Sequence, residues 1–128
     1  MVRWSGGYVP DRLSSTYFAA ANIVVLPYHE ASSSGVLLNA YSAGRPVVAS
    51  AVGDIPGMME DGQSGMLVPP RDPAALAKAI VKMLLDPRRA ELMGARGQQL
   101  TESRFNWAMI AKRTGELYSR VTAERDHI

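Results

Sequence analysis

Hydrophobic positions along the chain fall into short continuous runs that alternate with longer amphipathic stretches. Residues 23–26 and 46–49 are apolar and rich in β-branched side chains, a pattern typical of strands that are buried on both faces. Residues 65–68 predict a last short strand, which two prolines bring to an end. Together with a short apolar segment at residues 2–4, the pattern indicates about four strands.

Apolar residues at helical spacing mark the stretches between and after these runs. Helices are predicted over residues 11–21, 36–43, 73–86, 88–102 and from 107 onward, with a short helical turn near residues 58–60. Asp11, Asp72 and Asn106 are the predicted N-caps, because a short polar side chain accepts hydrogen bonds from first-turn amides. One face of the first helix carries Leu13, Tyr17, Ala20 and Ala21.

The order of these elements predicts the fold class. Apolar strands separated by helices favour a parallel sheet with helices on both faces, an α/β layered fold. In such sheets ligands bind at the carboxyl ends of the strands, where loops lead into helices. Two loops, residues 27–35 and 52–58, are therefore the candidate ligand-binding segments.

Length and composition exclude several classes of protein. The chain has 128 residues, enough for one domain, residues 1–128, with a real hydrophobic core. The absence of cysteine excludes disulfides, thiolate zinc sites and a cysteine nucleophile. No apolar run approaches the roughly 20 residues of a membrane-spanning helix. No secretory signal opens the chain, so we expect a cytoplasmic protein.

The formal net charge of +2 is unevenly distributed. Residues 1–64 hold three basic and five acidic groups, whereas residues 65–128 hold eleven and seven. Most of the later charges fall on predicted helices with both signs interspersed, which is typical of a solvated face. We therefore expect no nucleic-acid partner, which more often needs a concentrated basic stripe. Contact of the basic C-terminal helices with an anionic membrane surface stays open.

The first candidate loop ends in three serines and a glycine at the start of a predicted helix. The unpaired amides and the dipole at a helix N-terminus favour an anion, and phosphate is the usual one. Gly35 would let a ligand approach the backbone closely. The alternative is that the serines only cap the helix, a task for which one serine is enough.

Further chemistry in the loops is sparse. Glu30 could accept hydrogen bonds from a polyol, or it is an exposed loop carboxylate. His29 lacks the second histidine of a metalloprotease motif, and the usual nucleophile-elbow, phosphate-loop and dinucleotide signatures are absent. The second loop, with Gly53, would lie beside the first and line the same cleft, although alone it reads as a turn.

Seven segments follow one another in a recognisable order. They are residues 7–11, 23–28, 30–35, 40–50, 52–56, 61–70 and 105–107. Together they cover nearly the whole chain and resemble the group 1 retaining glycosyltransferases. The resemblance implies a two-domain enzyme whose Rossmann-like C-terminal half binds a nucleotide-sugar donor. It further implies sugar transfer with retained configuration, usually without an essential metal or other cofactor, to an acceptor on the N-terminal half.

The resemblance also implies site residues, with departures. In the family two glutamates at a fixed spacing hold the donor, and here those positions carry Ala31 and Asn39. Glu30 lies one residue before the first, so it is the implied catalytic carboxylate near the sugar. The implied donor-binding residues are Ser33, Ser34, Gly35, Val36, Leu37, Asn39 and Gly53, with no metal ligand. Asn39 would hold a ribose hydroxyl more weakly than a carboxylate does.

The resemblance covers only a donor-binding half that is incomplete at its N-terminus. The family's donor half begins with two further strands that carry an Arg and a Lys for the diphosphate, and neither Arg3 nor Arg12 lies in that motif. A missing strand leaves a sheet edge, from which we expect a homodimer or strand exchange. We thus expect the donor-binding portion of a glycosyltransferase, inactive alone, toward an unknown acceptor. The alternatives are a non-catalytic nucleotide-sugar-binding module and a fold remnant that acts as an interaction surface.

Overall fold

Helices and strands alternate along the computed structural model, which describes residues 1–31, 34–104 and 107–125. The strands are β1 (Val24–Leu26), β2 (Val47–Ser50) and β3 (Gly65–Val68). The helices are α1 (Asp11–Ala20), α2 (Gly35–Ser42), α3 (Ile55–Met58), α4 (Pro73–Leu84), α5 (Pro87–Arg104) and α6 (Trp107–Arg125).

The described strands form one parallel sheet in the order β1-β2-β3. Val24 pairs with Val47, and Val47 pairs in turn with Gly65. The predicted α/β layered fold is therefore confirmed, with three strands where the pattern indicated about four. Residues 2–4 form no strand, and Val2 and Trp4 are almost fully exposed, because that segment has no described strand to pair with.

Two helix starts differ from the prediction. Asp11 is the first residue of α1 and not its cap; Pro10 occupies the cap position, with no side-chain hydrogen bond. The short helix α3 begins at Ile55 and not near residue 58, because the Ile55 side chain is fully buried and a proline follows it in the first turn. The Asp72 cap is confirmed, since its Oδ1 accepts from the Ala75 amide at 2.9 Å. The predicted cap Asn106 lies outside the described residues.

The central strand β2 is buried on both faces, as predicted. Val47 and Ala49 belong to one apolar cluster, together with Leu37, Tyr41, Ile55 and Leu100 from the helices around it. Val48 points the other way and joins a second cluster with Ala79 and Met83 of α4. Helix α5 contributes to both clusters. In contrast, the face of α1 with Leu13 and Tyr17 is largely exposed.

Helix α5 lies very close to α2 and to the turn after it because two of its positions are glycines. A methyl group at Gly97 would overlap the ring of Tyr41, and one at Gly94 would overlap the Gly44 carbonyl. Gly97 therefore lets the backbone of α5 pack against the Tyr41 ring of α2, and Gly94 lets it pack against the backbone of the turn after α2. No helix within the described ranges has the length and hydropathy needed to cross a bilayer.

A bidentate ion pair joins α5 to the segment between α3 and β3. Arg96 donates from Nε to Glu60 Oε2 and from Nη2 to Glu60 Oε1, each at 2.8 Å. The hydrogen bonds from Arg96 hold the pKa of Glu60 below its ordinary value of 4.5. Because the folded state lowers this pKa, the pair stabilises the fold fully above pH 4.5 and loses its effect as the pH falls through the lower folded-state pKa.

The variant Glu60→Gln should therefore cost stability at neutral pH and much less at acidic pH. We expect the wild-type melting temperature to exceed that of the variant at pH 7, with the difference shrinking toward pH 3 in thermal unfolding followed by circular dichroism. Glu91→Gln is the matched control, because Glu91 is an exposed carboxylate on α5, the helix that carries Arg96. A difference that stays constant between pH 7 and pH 3 would contradict the assignment.

Candidate functional site

The carboxyl ends of all three strands lie at one edge of the sheet, since the strands are parallel. The segments that leave this edge follow Leu26, Ser50 and Val68. Both candidate loops of the sequence therefore start at the same edge, as the pattern predicted. Ala31 of the first loop and Val52 of the second pack against one apolar cluster, which holds the two loops on the same side of the sheet.

The N-terminus of α2 presents backbone amides at this edge. Ser34 is extended, buried, and accepts a hydrogen bond from the Leu37 amide at 3.1 Å through its Oγ. Ser34 is thus the capping serine, and the Leu37 amide is already engaged. The amides of Gly35 and Val36, the first two residues of the helix, have no carbonyl partner within it. Gly35 is exposed, with nothing within 4 Å of where a side chain would start.

The predicted donor-binding residues do not all share this position. Ser33 lies outside the described residues. Asn39 is exposed one turn further along α2, where it lines a groove of about 410 Å³ with Asp11, Ser14 and Phe18 of α1. The structure therefore places Asn39 beside α1, one helical turn from the amides of Gly35.

Glu30 is exposed at the end of the segment that follows β1. Its carboxylate makes no hydrogen bond or ion pair with any other residue in the described ranges. A carboxylate that is free to accept hydrogen bonds, four positions before the buried cap Ser34, is available to polar groups of a ligand.

Gly53 has a left-handed backbone, with φ of +54°, three residues after the end of β2. A residue with a Cβ is strained in that conformation, so the turn requires glycine for a conformational reason. The Val52 amide donates back to the Ser50 carbonyl at 2.9 Å, which tightens the same turn. The structure thus supports the turn interpretation of this loop and also exposes its backbone at the carboxyl edge.

A buried hydrogen bond joins α2 to the connection between β2 and β3. Tyr41 Oη and Ser64 Oγ lie 2.7 Å apart, and both side chains are fully buried. Ser64 Oγ also accepts from the Glu60 amide at 2.9 Å. Burial raises the pKa of Tyr41 to about 12, so its hydroxyl stays protonated. No sequence motif indicated this pair, because its members are separated by 23 residues.

Arg71 is a second feature that the sequence pattern did not indicate. It lines a small cleft of about 110 Å³ at the carboxyl edge, together with His29, Ser50 and Asp72. Its φ of +58° is left-handed, an uncommon conformation for a residue with a side chain. The sequence offered one signal for a turn at this residue. Arg71 lies between Pro70 and the N-cap Asp72, where the chain has to turn before α4 begins.

A larger cleft, of about 410 Å³, lies at the opposite edge, where β1 and β2 begin. Arg45 lines it, but its Nη2 donates to the Ala19 carbonyl near the end of α1 at 2.7 Å. A cation at a helix C-terminus is favourable for the fold, so this guanidinium has a structural role. The described residues contain no cluster of three or more side chains that could hold a metal ion.

Comparison with known sequences identifies the family. The profile of the family described as "Glycosyl transferases group 1" matches residues 2–86. A D-inositol 3-phosphate glycosyltransferase from Corynebacterium kroppenstedtii is 34% identical over the whole chain. One from Acidothermus cellulolyticus is 38% identical over 91% of it. The chain spans 28% and 25% of the lengths of these relatives.

Solved structures show the same fold. A sucrose-phosphate synthase from Thermosynechococcus elongatus superposes with a TM-score of 0.87 and 36% identity, over 93% of this chain and 30% of that one. Anabaena HepE in complex with UDP superposes with a TM-score of 0.79 and 25% identity, over 81% of this chain and 29% of that one. The family profile, the sequence relatives and the fold agree, and the chain belongs to the group 1 glycosyl transferases.

Proposed function

We propose that this chain binds the nucleotide-sugar donor of a glycosyltransferase through the carboxyl edge of its sheet. The observation that carries the proposal is the start of α2, where the amides of Gly35 and Val36 have no helical partner beside the exposed Glu30. Structures of the related HepE in complex with UDP and with UDP-glucose support a donor of this class.

The chemistry of the donor fits these groups. A diphosphate is an anion, and helix amides together with the helix dipole stabilise it both in the bound donor and as the leaving group. Glu30 would accept hydrogen bonds from sugar hydroxyls, and the backbone of Gly53 would close the same cleft. We propose transfer with retention of configuration and without an essential metal, so that stabilisation of the leaving group comes from amides and cations.

The acceptor would be bound by a part of the enzyme that this chain does not contain, because the chain spans less than a third of its relatives. We therefore propose that the isolated chain binds the donor without turnover.

We also propose that the outer edge of β1 pairs with a second copy of the chain, since β1 is an edge strand of the described sheet. A peripheral contact with an anionic membrane surface would involve the basic residues of α6, among which acidic residues are interspersed.

A non-catalytic nucleotide-sugar-binding module is the second candidate. Ala31 at the position of the first family glutamate favours it, because the resemblance implies that this carboxylate lies near the transferred sugar. A transfer assay on a protein that includes the acceptor-binding part distinguishes the two functions. An enzyme transfers the sugar to an acceptor, whereas a module binds the donor and releases it unchanged.

The variant Gly35→Pro tests the helix amides. Proline is well accommodated as the first residue of a helix, and the extended Ser34 suits a following proline, so the fold should persist while one amide is lost. We expect calorimetry to show UDP affinity reduced about tenfold, the typical loss of one hydrogen bond to a charged group. Gly35→Ala keeps the amide and adds only a methyl group, so it should bind UDP more tightly than Gly35→Pro. Equal affinity of both variants would exclude a phosphate at this amide.

The variant Glu30→Gln tests the sugar contact. If Glu30 accepts hydrogen bonds from sugar hydroxyls, the variant should weaken UDP-glucose about tenfold, the loss of one charged hydrogen bond, while leaving UDP affinity unchanged. Calorimetric titration with each ligand separates the two effects. Equal weakening of UDP and UDP-glucose, or no weakening of either, would contradict the role assigned to Glu30.

A further inference from the structure

The contacts between α2 and the sheet are apolar, and apolar contacts are not directional. Leu37, Ala40 and Tyr41 of this helix are fully buried in the cluster that also contains Ile55 and Leu100. Hydrophobic burial depends mainly on the apolar area removed from water, so it sets the orientation of a helix less sharply than a hydrogen bond does. A helix whose first amides have to meet a ligand needs a directional contact as well.

The Tyr41–Ser64 hydrogen bond is a short directional contact of this kind. Within the described ranges it is the side-chain hydrogen bond that joins α2 to the connection between β2 and β3. Ser64 Oγ also accepts a hydrogen bond from the Glu60 amide. The Glu60 carboxylate in turn accepts hydrogen bonds from Nε and Nη2 of Arg96. Gly97 leaves room for the Tyr41 ring against α5. Three segments thus meet at one buried phenol.

We propose that Tyr41 and Ser64 are positioning residues, which set the orientation of α2 so that its first amides face the loop with Gly53. This inference rests on the proposed function only for its consequence in donor binding. A buried hydrogen bond of two neutral hydroxyls suits the task, because it is directional and independent of physiological pH. Neither residue would touch the donor, since both are fully buried.

The test compares Tyr41→Phe with a variant that weakens the other side of the sheet. Tyr41→Phe keeps the ring and removes the hydroxyl, whereas Met83→Ala makes a cavity in the second cluster, away from α2. Both are examined at the same interval below their own melting temperatures. Amide hydrogen exchange of residues 36–42 reports the order of α2 without any ligand, and calorimetry with UDP reports binding.

We expect exchange in α2 to be about tenfold faster in Tyr41→Phe than in Met83→Ala, in line with the loss of one hydrogen bond. UDP should bind several-fold more weakly to Tyr41→Phe only. The double variant Tyr41→Phe/Ser64→Ala should show nearly the same amide exchange in α2 as Ser64→Ala alone, because both substitutions remove the same hydrogen bond. Equal exchange in Tyr41→Phe and Met83→Ala would overturn the proposal, as would unchanged UDP affinity in Tyr41→Phe.

If the wild type binds no UDP while α2 still exchanges faster in Tyr41→Phe than in Met83→Ala, the result contradicts the proposed function and still supports the positioning role of Tyr41 and Ser64. The exchange measurement and the binding measurement therefore separate the two proposals.

Discussion

The burial of β2 on both faces is the constraint on which the rest of the structure depends. Successive side chains of a strand point to opposite sides, so Val47 and Ala49 require one layer of helices and Val48 requires another. A strand of this kind belongs in the middle of a parallel sheet, with crossover helices covering both faces. The positions of α2 and α4 follow from this requirement.

The candidate site is a consequence of the same arrangement. Because β1, β2 and β3 run in parallel, every segment after a strand starts at one edge, and the N-terminus of α2 lies there with the amides of Gly35 and Val36 unpaired in the helix. Polar groups on α2 and next to it have separate roles. Ser34 caps the helix, the Tyr41–Ser64 bond orients it, and Glu30 stays exposed.

Local signals predicted most of the fold and only part of the site. Valine-rich runs and the Asp72-Pro73 start are short-range patterns, so the strands and α4 could be placed from the sequence. The Tyr41–Ser64 pair and the contact of Gly97 with Tyr41 could not be predicted, because they join residues far apart in the chain. Asn39 was placed at the site by resemblance, whereas burial of Leu37, Ala40 and Tyr41 turns Asn39 toward α1.

The central claim is that the amides at the start of α2 bind the phosphates of the donor. Titration of the ¹⁵N-labelled chain with UDP, followed by NMR, tests it at the level of single amides. We predict that the largest shifts occur at Gly35 and Val36, with smaller shifts at Gly53 and none at Asn22 or Arg45 on the opposite edge. A spectrum that does not change, or that changes most around the cleft lined by Asn22 and Arg45, would contradict the account.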